Sequence, residues 1–138
     1  MGTDAKATAR RYYEEVLNQG RLEVLDEIAT GNYQENAPLS GQGTGREGLK
    51  RRAATFRSTL AQHFTVEQVI CEGDLVAVRW SARGTHVGEF FGIPPTGRAF
   101  TMSGIDIHRM EDGRLAEHWH EVDALGLMQQ LGAIPSPA

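Results

Sequence analysis

The stretch GIDIHRMEDGRLAEHWHEVD, residues 104–123, decides how the chain folds, because two runs of alternating apolar and polar residues flank a turn signal. A three-residue turn, Glu111-Asp112-Gly113 with glycine in the left-handed position, pairs Met110 with Arg114 and sets Asp106 opposite His118. One face of the hairpin then holds Gly104, Asp106, His108, Ala116, His118 and His120, and the other holds Ile105, Ile107, Leu115 and Trp119. A two-residue turn would slip the pairing and mix the faces. A face carrying one carboxylate and three imidazoles is either solvated or a reactive pocket, because burying such groups unpaired costs several kcal/mol each.

Working outward, the hairpin is the last of a series of strand candidates. Residues 66–70, 75–85, 100–110 and 115–122 are rich in β-branched and apolar side chains, with CEGD (71–74) and EDGR (111–114) as turns. The half before His63 reads differently. A helix runs from Thr3 or Asp4 to Asn18, a shorter one uses Leu22, Val24, Leu25 and Ile28, and NYQENAPLSGQG (32–43) is a loop. Thr44 and Glu47 have capping-box spacing ahead of a third helix to about Gln62, whose apolar stripe is Leu49, Ala53, Phe56 and Leu60. Asp123 caps a terminal helix, Ala124 to Leu131. HVGEFFGIPPTG (86–97) contains two prolines and three glycines, which forbid regular structure, yet Phe90, Phe91 and Ile93 need burial; it reads as a lid on the pocket mouth. Helices first and antiparallel strands afterwards predict one α+β domain over residues 1–138, its sheet curled around the helices to leave a cone-shaped cavity.

Bulk properties narrow the function. The net charge is −4 with arginines dispersed among acids, which excludes the basic footprint of a nucleic-acid binder. Nowhere do eighteen apolar residues run together, so no membrane segment is expected. Cys71 stands alone and the N-terminus has no signal-like apolar core, which places the protein in the cytoplasm.

A carboxylate beside an imidazole suits proton transfer, because the carboxylate orients the ring while the ring titrates near neutrality. The competing account is a set of exposed polar residues, preferred for any one of the five histidines taken singly; three on one face shift the balance toward function. His118 and His120, with Asp106 or His108, have the donors of a facial triad for iron or zinc, but H-x-H arises easily on a strand and no metal is expected. Gly43 to Gly48 matches G-x-G-x-x-G without the preceding buried strand, so it reads as loop and cap. Arg51 and Arg52 beside Lys50 read as a solvated helix face.

Taken together, EGDLVAVRW (72–80), GTHVGEFFGIPPTGR (84–98), GIDIHRMEDGRLAEHW (104–119) and DALGLMQQLG (123–132) resemble the SnoaL-like polyketide cyclase family. The resemblance implies the NTF2-like fold, a curved antiparallel sheet wrapped around N-terminal helices as an α+β barrel. It also implies a homodimer or homotetramer through the outer sheet face and a pocket for a planar hydrophobic ligand. Cyclases of the family close a ring by intramolecular aldol condensation without metal or organic cofactor, using an aspartate directly after the tryptophan of the EHW motif. Here that position is His120, and Asp106 stands where a histidine is expected across the hairpin, so acid and imidazole are exchanged while His118 agrees with the pattern. QENAP (34–38) departs from the histidine that relatives often carry ahead of Asn-Pro, and Glu35 and Asn36 are expected at the pocket entrance.

The reading that follows is a cofactor-free acid/base enzyme of aromatic, anthracycline-type polyketide biosynthesis. Asp106 and His120 form its proton-transfer pair, and His118 orients or binds a carbonyl oxygen. Tyr33, Asn36, Phe56, Trp80, Phe91, Met102 and His108 are its substrate-binding candidates. The alternatives are hydroxylation of a polyketide intermediate with a redox partner protein, and a module that binds a small molecule without turning it over. Ile105, Ile107 and Trp119 would leave an apolar patch on a monomer, which predicts a partner copy there.

Overall fold

In the computed structural model, which describes residues 2–137, the hairpin closes more tightly than the sequence suggests. Glu111 pairs with Arg114, and Asp112 and Gly113 make a two-residue turn with φ of 52° and 76°. Positive φ at both central residues is what a type I′ turn needs, and its twist matches that of the strands. The register slips by one residue, so Met110 faces Leu115. It slips again where Ala116 bulges out of the ladder, so Arg109 faces Glu117, His108 faces His118 and Asp106 faces His120. Two slips restore the alternation. The expected polar face survives, but Asp106 lies opposite His120 rather than His118. Leu115, expected on the outer face, is fully buried beside Ala116 because the bulge turns both inward.

Four strands, β2 (His63–Glu72), β3 (Leu75–Thr85), β4 (Ala99–Glu111) and β5 (Arg114–Val122), form an antiparallel meander. A strand not foreseen from the sequence completes the sheet: β1 (Ala29–Glu35) runs parallel to β5 on its free edge, giving the order β1-β5-β4-β3-β2. Residues 32–35 read as loop because Asn32, Gln34 and Glu35 lack the apolar alternation of a strand; only Ala29 and Tyr33 of β1 are buried in the core. The sheet is therefore mixed, and it curves without closing, since β1 and β2 remain its two edges.

Helix α1 (Gly2–Arg11) packs across β2, β3 and β5 and continues as a π-helical turn, Tyr12–Leu17. The wider turn puts the consecutive residues Tyr12 and Tyr13, and then Val16 and Leu17, into the core together. A 3₁₀ turn (Leu22–Val24) and α2 (Leu25–Ile28) lead into β1. Helix α3 (Gly45–Leu60) lies against β1; its Thr44 makes no side-chain cap, and Glu47 pairs with Lys50, so the capping box is not formed. Helix α4 (Ala124–Gln130) is capped as expected, Asp123 accepting from the Gly126 amide at 2.9 Å, and packs on β4. The 86–97 loop folds Phe90 inward, whereas Phe91 is 67% exposed and Ile93 only half-buried. No helix among the described residues is long and apolar enough to cross a membrane.

One close approach shapes the inner face next to the polar cluster. Trp80 faces Gly104 across β3 and β4, and a Cβ on Gly104 would meet the indole at 2.5 Å. Only glycine lets the ring lie flat over β4. Gly104→Ala is accordingly expected to lower stability by about 1–3 kcal/mol through overpacking, read as a lower urea midpoint with unchanged slope; an unchanged midpoint would contradict this packing.

Candidate active site

Five elements converge on one polar wall. The π-helical turn supplies Tyr12 and Tyr13, β4 supplies Asp106 and His108, β5 supplies His118 and His120, β1 supplies Glu35, and α3 supplies Arg52. Tyr13 donates its hydroxyl proton to Asp106 Oδ2, and burial and that carboxylate hold the phenol well above its usual pKa. Its oxygen lies 2.7 Å from His108 Nε2. A hydroxyl has one proton to give, so His108 donates Nε2–H to Tyr13. Burial, and then the neighbouring His118 cation, push the His108 pKa down to about 3 and keep it neutral. The two rings stack at 4.9 Å.

His118 stands between two carboxylates. Its Nδ1 is 2.8 and 2.9 Å from the Glu35 oxygens, and its Nε2 is 3.4 Å from Asp106 Oδ1. The second contact is longer than a well-formed hydrogen bond and acts as charge against charge. Burial alone would lower the His118 pKa and raise those of Asp106 and Glu35. The contacts among the three prevail, holding Asp106 at about 2, Glu35 below its usual range and His118 up at about 9.

Arg52 completes the balance of two buried anions and two buried cations. Its side chain is 4% exposed, its Nε is 3.7 Å from Glu35, and it donates to Ala37 O at 3.0 Å and to Gln42 Oε1 at 3.2 Å. Its Nη2 lies 3.1 Å from His120 Nδ1. A guanidinium can only donate, so His120 accepts at Nδ1 and carries its own proton on Nε2. Burial, Arg52 and His118 lower the His120 pKa and leave the ring neutral. Glu35, His118 and His120, like Asp106, His108 and His118, bring possible ligand atoms within 4.8 Å of one another. A metal there would compete for His118 nitrogens already committed to the carboxylates and would sit beside Arg52, so the donor set suits an imidazolium better than a ligated ion.

The wall borders a cavity of about 290 Å³. Asp106, His118 and His120 line it, and so do four of the expected wall residues, Phe56, Trp80, Phe91 and Met102. The other three lie elsewhere. His108 is fully buried behind Asp106, and Tyr33 is buried on β1. The Asn36 amide donates to His118 O at 2.9 Å and to Glu117 Oε2 at 3.1 Å, bracing β5 instead of facing a ligand. Glu35, expected at the entrance, is a buried partner of His118. Arg52, read as solvated, faces inward. Its signal lay in the stripe of α3, for position 52 falls three residues after Leu49 and four before Phe56. Nothing in the sequence announced that Tyr13 would pair with Asp106 rather than serve as plain core.

Residues 7–131 match the family model described as SnoaL-like polyketide cyclase. The nogalonic acid methyl ester cyclase of Streptomyces nogalater is 31% identical over 119 residues, spanning 84% of this chain and 89% of that protein. The aklanonic acid methyl ester cyclase AcmA of Streptomyces galilaeus is 30% identical over 129 residues, spanning 91% and 89%. Among solved structures, TsrD from Streptomyces laurentii superposes with a TM-score of 0.88 at 32% identity, covering 96% of this chain and 97% of that one.

The ion pairs set the pH dependence of stability. His118 holds its proton more tightly folded than unfolded, so its contribution is complete below the ordinary pKa of 6.5 and is lost as pH rises through about 9. His108 behaves in the opposite sense, its contribution being lost as pH falls from 6.5 toward about 3. Thermal melts should show Tm falling between pH 6.5 and 9, and His118→Gln should remove that alkaline fall while leaving the acid limb. A wild-type Tm that stays level across this interval would contradict the buried imidazolium.

Proposed function

Because the chain belongs to the SnoaL-like polyketide cyclase family, we propose that it closes a ring of an aromatic, anthracycline-type polyketide ester by intramolecular aldol condensation, using its own side chains as acid and base. The observation that carries this reading is the His118 imidazolium held between two buried carboxylates at the charged wall of a largely apolar cavity. Asp106 removes the proton α to the substrate carbonyl. The enolate carbon attacks the second carbonyl, forming the ring C–C bond, and the oxygen of that carbonyl takes a proton from His118. The proton on Asp106 then passes to His118 across 3.4 Å, restoring both groups. Taking one proton while giving another keeps the buried net charge constant, which a low-dielectric site requires. His120, fixed by Arg52 with Nε2–H available, donates a hydrogen bond to the same oxygen as charge develops on it.

The apolar walls favour a planar hydrophobic substrate. The outer sheet face exposes Ile105, Ile107 and Trp119, and on this reading it joins copies of the chain as a homodimer or homotetramer. A monodisperse monomer at micromolar concentration would contradict that assembly. The lone thiol of Cys71 fits a reducing compartment such as the cytoplasm.

The test is conversion of nogalonic and aklanonic acid methyl esters, followed chromatographically without added cofactor. Wild-type protein should close the ring independently of oxygen; Asp106→Asn and His118→Gln should each lower kcat by about 10²–10⁴-fold, and His120→Ala by about 10²-fold. The rate should hold level from neutrality upward and fall above about pH 9, as His118 loses its proton. Oxygen-dependent product that needs a redox partner would instead establish hydroxylation, and binding without turnover in every variant would establish a binding module.

A further inference from the structure

Apart from the charged cluster, the cavity wall contains three buried polar atoms that no group among the described residues satisfies: Nε2 and Oε1 of Gln62, and Nε1 of Trp80. Gln62 is 7% exposed and Trp80 4%. A buried primary amide with both ends unpaired is a standing loss, since it gives up water and gains nothing from the protein. Both residues are held in place by local features. Gln62 follows Ala61, whose φ of 42° is uncommon for a residue with a side chain and turns the chain from α3 toward β2. Two residues on, Phe64 lines the same cavity. The Trp80 indole lies over Gly104, and Trp80 sits two residues along β3 from Val78, the partner of Asp106.

We propose that Gln62 and Trp80 are specificity-determining residues, which read oxygen substituents of a planar polycyclic substrate away from its reacting carbon. The Gln62 amide both accepts and donates, which fits a ring hydroxyl. The Trp80 N–H only donates, which fits a ring carbonyl. The ligand supplies the partners that the protein withholds, and an analogue lacking the hydroxyl leaves the amide unpaired, so the site binds it less tightly. This inference rests on the planar-substrate reading above.

Titration calorimetry with 2-hydroxyanthraquinone and with anthraquinone tests it. Wild-type protein should bind the hydroxylated compound about tenfold more tightly. Gln62→Leu should abolish that preference, leave anthraquinone affinity unchanged within about twofold, and raise Tm, because it removes an unpaired amide. Trp80→Phe should weaken both ligands severalfold. If Gln62→Leu fails to fold, Gln62→Met carries the same expectation. A preference that persists in the leucine or methionine variant, or a lowered Tm in the folded variant, would overturn the proposal, the latter marking a structural role. Equal binding of both ligands by the wild type would overturn this inference alone; binding of neither would overturn the planar-substrate reading as well.

Discussion

Two carboxylates and two cations share a space from which water is largely excluded, and their mutual neutralisation is the constraint that the surrounding structure serves. Glu35, Asp106, His118 and Arg52 come from β1, β4, β5 and α3, so no single element could satisfy them. Removing any one would leave a buried charge unpaired, which is far more costly than never having buried the set. The parallel edge strand β1 is best understood in this light. It is short and polar, yet it delivers Glu35 to His118 and, through Ala29 O, takes two bonds from Arg46 on α3. The π-helical turn has a similar role, since it brings the Tyr13 hydroxyl onto Asp106 while Tyr12 lines the cavity beside it.

The same constraint explains how the acid and imidazole positions can be exchanged relative to the pattern that the family resemblance implies. Asp106 and His120 are direct cross-strand partners, so exchanging them leaves both groups in the same row of the sheet. What changes is their surroundings. At position 106 the carboxylate meets Tyr13 and the His118 cation, which keep it ionised. At position 120 the imidazole meets Arg52, which keeps it neutral and fixes its tautomer. On the proposed mechanism proton transfer therefore falls to the Asp106–His118 pair, with an upper pH limit in the alkaline range where His118 loses its proton.

The hairpin's polar face, the meander, the Asp123 cap and four of the seven expected wall residues were legible in the sequence, because they follow from alternation, turn chemistry and apolar burial, which are local. What the sequence left out depends on partners distant along the chain. The pairing of Asp106 with His120 needed a turn one residue shorter than expected and a bulge at Ala116, two slips that cancel in face but not in register. Strand β1 was hidden because its ladder partner is β5, some eighty residues away, and its own residues show little apolar alternation. Arg52 looked like part of a basic run until its position on the apolar stripe of α3 is weighed, and three of its acceptors come from residues 37, 42 and 120, distant along the chain.

The central claim is that His118 is a buried imidazolium at neutral pH while His108, stacked on it, is not. Long-range nitrogen–proton correlation NMR on protein labelled with ¹⁵N-histidine reads both states directly at about pH 7.5. The account predicts that both ring nitrogens of His118 resonate in the protonated range and that His108 shows a neutral ring with its proton on Nε2. A neutral His118 at that pH, with one nitrogen shifted to the unprotonated range, would contradict it.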